Sequence, residues 1–121
     1  MELDEMKDIS KTLEYNGKTY SVVFDLNVME AIQEKYGTLE KWADLTDGGK
    51  NEPNAKAVIF GFTEMLNEGI DIANEENGTK DAFLTTKQVG RMLTKIGMDE
   101  AAKAMQETVI ESTKGNDSKN E

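Results

Sequence analysis

Carboxylates are the commonest side chains in this chain that could do chemistry. Of 121 residues, 24 are Asp or Glu and 14 are Lys or Arg, with no histidine and no cysteine. Without imidazole or thiol the chain has no Ser/His or Cys/His nucleophile pair, no thiolate zinc site and no disulfide. Carboxylates could still serve as acid/base pairs or as oxygen ligands for a hard cation. Spacing tests the second role in the stretch DIANEENGTKD. Setting Gly78 at the sixth position of a calcium loop puts Ala73 first, and setting Asp71 first puts Glu76 where glycine is required. The loop spacing fails. A carboxylate pair for glycoside hydrolysis needs a cleft that holds a sugar, which a chain this small has little room to build. No Gly-x-x-x-x-Gly-Lys-Ser/Thr run occurs, and Gly48-Gly49 sits in a polar stretch rather than at a strand-to-helix junction. The expected catalytic, cofactor-binding and metal-binding residues are therefore none, and no cofactor is implied.

The formal charge of -10 repels a nucleic-acid backbone and an anionic membrane surface, so the expected partners are proteins. The plainer role of that charge is to keep a small domain in solution. Seven methionines offer either core packing or an adaptable binding groove. Met65, Met92, Met98 and Met105 fall on apolar stripes, which favours the core. The opening MELDEMKDIS is acidic and lacks an apolar run, and no segment is long and apolar enough to span a bilayer, so a cytosolic location is expected.

The elements that would position any site follow from period and punctuation. Asn16-Gly17 lies between two alternating runs in ISKTLEYNGKTYSVVF, the signature of a two-residue type I′ hairpin. That loop pairs Tyr15 with Lys18, Leu13 with Tyr20, Lys11 with Val22 and Ile9 with Phe24. One face then collects Ile9, Leu13, Tyr15, Tyr20, Val22 and Phe24, and the other Thr12, Glu14, Thr19, Ser21 and Val23. After Phe24 the period becomes helical. Asp25 or Asn27 can cap a helix carrying Val28, Met29, Ile32 and Tyr36, which Gly37 ends. Thr38 can cap a short helix over TLEKWADL with Leu39, Trp42 and Ala43 on one side. TDGGKNEPN reads as an exposed connection.

From Asn54 to about Asn74, Ala55, Val58, Ile59, Phe62, Met65, Leu66, Ile70 and Ala73 recur at three and four residues, the pattern of a long central helix. Phe60 lies opposite that stripe, either covered by another element or exposed. Gly61 and Gly69 weaken the helix and mark places for close packing. NEENGTKDAF reads as a turn. Thr85 with Gln88 has capping-box spacing ahead of Val89, Met92, Leu93 and Ile96, with Gly97 as the stop. A last helix with Met98, Ala101, Ala102, Met105 and Val109 is expected from Asp99 to near Thr113. The expected organisation is a flexible segment 1–8, a single globular domain 9–113 and a disordered tail 114–121. The fold class is α+β, predominantly helical, with an N-terminal antiparallel β-hairpin packed on four to five helices.

The run NGKTYSVVFDLNVMEAIQEKYGTLEKWADL, Asn16 to Leu45, resembles the tail assembly chaperones of siphophages and prophages of Gram-positive bacteria. The likeness rests on a hairpin of the form NGKxY, the FDLN junction at Phe24 to Asn27, a short helix E-x-I-x-E-K-Y-G closed by Gly37, and a following T-L-E helix with an aromatic. Further on it is similar in outline only, through VIFGFTEML (Val58 to Leu66) and the helix introduced by Leu84 to Gly90. TDGGKNEPN and NEENGTKDAF have no counterpart in the pattern. The resemblance implies a non-enzymatic protein of the bacterial host cytoplasm, absent from the mature virion. It would bind the tape measure protein, bring tail tube protein to it, and in many such phages exist also as a longer frameshifted form. Residues expected to contact a partner are Val23, Tyr36, Trp42 and Phe60, with Trp42 and Tyr36 also natural core residues. A second reading is an acidic inhibitor or nucleic-acid mimic, against which the interspersed acids and lysines of EKYGTLEKW weigh. A small carboxylate hydrolase is the third.

Overall fold

A computed structural model of the chain describes residues 11–47 and 52–119, with side chains described through Thr113. Strands β1 (Lys11–Tyr15) and β2 (Lys18–Val22) form an antiparallel hairpin. Five helices follow: α1 (Leu26–Tyr36), α2 (Leu39–Thr46), α3 (Ala55–Asn77), α4 (Thr86–Ile96) and α5 (Met98–Lys119). This is the α+β, mostly helical arrangement that the sequence pattern implies. Asn16 and Gly17 both have positive φ, 52° and 76°, as a type I′ turn demands. The register pairs Lys11 with Val22, Leu13 with Tyr20 and Tyr15 with Lys18, as the loop length dictates. Ile9, expected opposite Phe24, and the segment 1–8 lie outside the described residues.

The helix ends obey local chemistry. Of the two candidate caps for α1, Asp25 acts, its side chain accepting from Val28 N–H at 3.2 Å. Asn27 instead reaches across to α3, where its amide donates to Glu68 Oε2 at 3.0 Å. Thr38 and Asn54 cap α2 and α3, and Thr85 with Gln88 completes the capping box of α4. Two boundaries differ from the sequence pattern. The apolar stripe of α3 ends near Ala73, yet the helix runs on to Asn77, because NEEN carries no stop signal and Gly78, at φ 68°, supplies the left-handed cap. The helix α5 starts at Met98 and continues to Lys119, so that 114–119, expected as tail, is helical backbone. Extending a packed helix adds one hydrogen bond per residue fixed, whereas starting one does not, so the apolar content of a segment is no guide to where its helix stops.

The core lies around α3. Val58, Phe62, Met65 and Leu66 of that helix meet Val22 and Phe24 from the hairpin side. Val28 and Ile32 come from α1, Trp42 from α2, Val89 and Met92 from α4, and Ala101 and Met105 from α5. Met65, Met92 and Met105 are buried and Met98 packs partly against the core, so these methionines serve packing. The hairpin does not merely lean on α3. Gly69 has no side chain, and a Cβ there would stand 2.7 Å from Ser21 O. That bare patch lets the backbone after β2 approach closely enough for Val23 N–H to donate to Met65 O at 3.3 Å. Gln106 of α5 donates to Thr46 Oγ1 at 3.2 Å and ties α5 to α2. The connection read from TDGGKNEPN lies outside the described residues at 48–51. Its described end closes with Asn54 N–H donating to Leu45 O at 2.7 Å, and Pro53 is buried.

Candidate binding groove at Phe60

The four residues expected to contact a partner do not form one patch. Trp42 is 1 % exposed, and its indole Nε1 donates to Ala57 O at 3.0 Å inside the core. It is therefore no surface contact: the short helix α2 has one apolar side, and burying the largest ring on it is the main gain from docking that helix. Val23 is half-buried and held by its backbone bond to Met65. Tyr36 and Phe60 do come together. Their rings meet edge-on, with centroids 5.7 Å apart and planes at 70°. Both are half-buried, and burial pushes the Tyr36 phenol pKa up.

Phe60 is thus covered on one side by the last turn of α1 and open on the other. It floors a groove of about 840 Å³ lined by Lys35, Lys56, Ile59, Phe60, Thr85, Thr86 and Lys87. That volume is on the scale of ligand clefts, and the floor is apolar with charged groups at the margin. Lys35 Nζ stands 5.1 Å from the Phe60 centroid, a cation over an aromatic face. No carboxylate lines the groove.

Three helices build this geometry. Lys35 and Tyr36 sit at the end of α1, which Gly37 terminates with its N–H on Gln33 O. Lys56, Ile59 and Phe60 occupy one side of the first turns of α3, three and four residues apart. The start of α4 is fixed by Asn67, which accepts from Leu84 N–H at 2.8 Å and donates to Leu84 O at 3.0 Å. Asn74 organises the connection before it, accepting from Thr79 Oγ1 and from Asp81 N–H at 2.8 and 2.9 Å. Thr85, Thr86 and Lys87 are thereby held at the groove edge.

Sequence reasoning missed Lys35, Lys56, Ile59, Thr85, Thr86 and Lys87. Ile59 falls on the apolar stripe that the sequence pattern assigns to the core. The readable signal was Lys56 one helical turn before Phe60, together with the absence of acids between Asp81 and Asp99. A smaller groove of about 320 Å³ opens between the hairpin tip and α4, lined by residues including Tyr15, Tyr20, Gln88 and Arg91. Leu26, Leu45, Phe83 and Ile110 are exposed singly on different segments, which is ordinary for a protein surface.

Among the described residues the one perturbed carboxyl is Glu68, whose pKa is raised to about 7. The largest cause is a hydrogen bond with Asp25, followed by burial, while the bond from Asn27 works the other way. Asp25 and Asn27 of the FDLN junction thus both engage α3 through this one side chain. Among the described residues no group of three or more acidic side chains converges to hold a metal ion, and Asp71 to Asn77, tested above as a calcium loop, is helical. No described helix is long and apolar enough to cross a membrane. No protein-family model, no curated protein and no solved structure matches this chain.

Proposed function

We propose that this chain is a non-enzymatic binding protein, a phage tail assembly chaperone that holds the tape measure protein in the bacterial cytoplasm and helps bring tail tube protein to it. The observation that carries the reading is the Phe60 groove: an apolar floor set among three lysines on an otherwise acidic body. A long helical client needs a partner that covers its apolar stripe while keeping the pair in solution, and a groove of this kind on a highly charged domain does both. The resemblance from Asn16 to Leu45, which spans the turn, β2, α1 and α2, supports the choice of client. The reading of an acidic nucleic-acid mimic gains nothing from a face with three lysines and no carboxylate.

Co-expression with the tape measure protein of the same phage or prophage tests the proposal. The expected result is a recovered complex and a larger soluble fraction of the client, both reduced by Phe60→Ala. Unchanged client solubility together with no complex overturns it.

A further inference from the structure

The groove margin belongs to a larger cationic face. Between Asp81 and Asp99 the chain has no Asp or Glu, and its charges there are Lys87, Arg91 and Lys95. These are four residues apart on α4 and all exposed, so they form one stripe along the helix. Lys35 and Lys56 add two more ammonium groups across the groove from the start of that stripe. Neither this groove nor the smaller one between the hairpin and α4 is lined by any acid. On a chain of net charge -10 this is a concentrated island of the opposite sign.

Like charges at this spacing repel, so the island weakens the isolated fold slightly and lowers its energy only when anionic groups face it. The floor beneath it is apolar, and filling that floor requires apolar side chains rather than phosphates. Covering the lysines with a purely apolar segment would desolvate ammonium groups without partners. The ligand that satisfies both parts carries apolar side chains and carboxylates on one face. A nucleic acid or an anionic bilayer offers the charge without the anchors, and the rest of this acidic body repels it.

We propose that this face docks an amphipathic helix of a partner protein whose apolar stripe is bordered by Asp and Glu. Side chains spaced i, i+3 and i+4 enter over Ile59 and Phe60, and the flanking carboxylates pair with Lys35, Lys56 and Lys87. The charged rim sets the orientation and the rate of encounter, and the apolar anchors supply the dwell time. This inference rests on the reading of the chain as a binding protein and specifies the chemistry of its partner at that site.

The test uses the full chain and three labelled synthetic peptides of about 20 residues, long enough to hold a helix. All share a leucine stripe, and the flanking positions are Glu in one, Gln in the second and Lys in the third. Fluorescence anisotropy should give the Glu peptide about tenfold tighter binding than the Gln peptide, with the Lys peptide weakest and the gap narrowing as salt is raised. The double variant Lys56→Glu/Lys87→Glu should invert the order. Because the peptide series on the unaltered protein stands alone, the outcome does not hang on whether that variant folds. Equal binding of the three peptides overturns the inference, as does binding of none, or tighter binding by duplex DNA or phosphatidylserine vesicles than by the Glu peptide. If the unaltered chain recovers no tape measure protein, the chaperone reading fails while the peptide order still decides this inference. If the complex forms and both it and the peptide order survive the charge reversal, this inference fails alone.

Discussion

Phe60 and Gly61 are neighbours in sequence and belong to opposite regimes of the same helix. At Gly61 the inner side of α3 closes until no side chain fits: a Cβ there would collide with the Trp42 ring and stand 2.9 Å from Met105 Sδ. At Phe60 the outer side opens into a groove of about 840 Å³, with a large ring left half-covered. The inner side is designed around contact already made, the outer around contact still available. Each side should therefore respond to mutation in its own currency, stability for one and binding for the other.

The inner side gives the largest expected effect. Trp42→Ala removes a fully buried ring and the hydrogen bond to Ala57 O, and should cost about 3–5 kcal/mol in denaturant unfolding. For a small domain that is a large share of the whole stability, so partial unfolding at room temperature is expected. A change of less than about 1 kcal/mol would mean that Trp42 is not the anchor of α2 and that the inner side is looser than it looks.

Next come the two glycines. Gly61→Ala forces the Trp42 and Met105 side chains to move, and Gly69→Ala pushes against the backbone of Ser21. Alanine is the better helix former, worth about 1 kcal/mol in an exposed helix, so propensity alone predicts stabilisation. The close packing predicts the reverse, a loss of about 1–3 kcal/mol at each site. Neither contact yields cheaply: the Trp42 ring beside Gly61 is fully buried and held by its bond to Ala57 O, and the Ser21 backbone oxygen beside Gly69 cannot rotate away. Thermal midpoints that rise in either variant would show the contact to be softer than the geometry implies.

The inner side was largely legible in the sequence, and the outer one was not. The three- and four-residue recurrence from Val58 to Leu66 marks α3 and its buried stripe, and Asn16-Gly17 fixes the hairpin register, because both depend on neighbours along the chain. Gly61 and Gly69 stood out as weak helix residues, although what fills the space beside them depends on Trp42, Met105 and Ser21, far off in sequence. The groove was legible only at Phe60. Its other walls come from the end of α1 and the start of α4, whose relative placement is set by tertiary contacts such as Asn67 with Leu84. Trp42 was legible as a core anchor from its place on the apolar side of α2, and its burial bears that out, while its second reading as a partner contact falls. The extent of α5 escaped because its last turns carry no apolar signal.

On the outer side, Phe60→Ala sharpens the contrast. The ring is half-covered, so its loss should lower stability by about 1 kcal/mol, well below the cost at Trp42. If the groove is the contact surface, the same substitution should cost at least about 2 kcal/mol of binding to an acidic amphipathic helix, in the range of an aromatic anchor at an interface centre. Measuring both numbers on one variant is the test. A stability loss matching that of Trp42→Ala would move Phe60 to the core, and unchanged affinity would remove it from the surface.

The smallest effect concerns the border between the two faces. Glu68 is half-buried on the flank of α3 and is tied to Asp25 and Asn27. Its folded-state pKa of about 7 lies above the ordinary 4.5, chiefly because its protonated form hydrogen-bonds to Asp25. Between those two pH values the folded chain holds a proton that the unfolded chain has released, so this group's contribution to stability is complete below about 4.5 and is lost as pH rises through about 7. Glu68→Gln keeps an amide donor for Asp25 and an oxygen for Asn27 at every pH. Relative to the native chain it should leave the unfolding midpoint nearly unchanged at pH 5 and raise it modestly at pH 8. Much of the group is solvated, so the gain should be well short of what a buried carboxyl would give. Parallel pH profiles for the two proteins would show that Asp25 serves only as the cap of α1, and that the FDLN junction meets α3 through shape and the Asn27 amide alone.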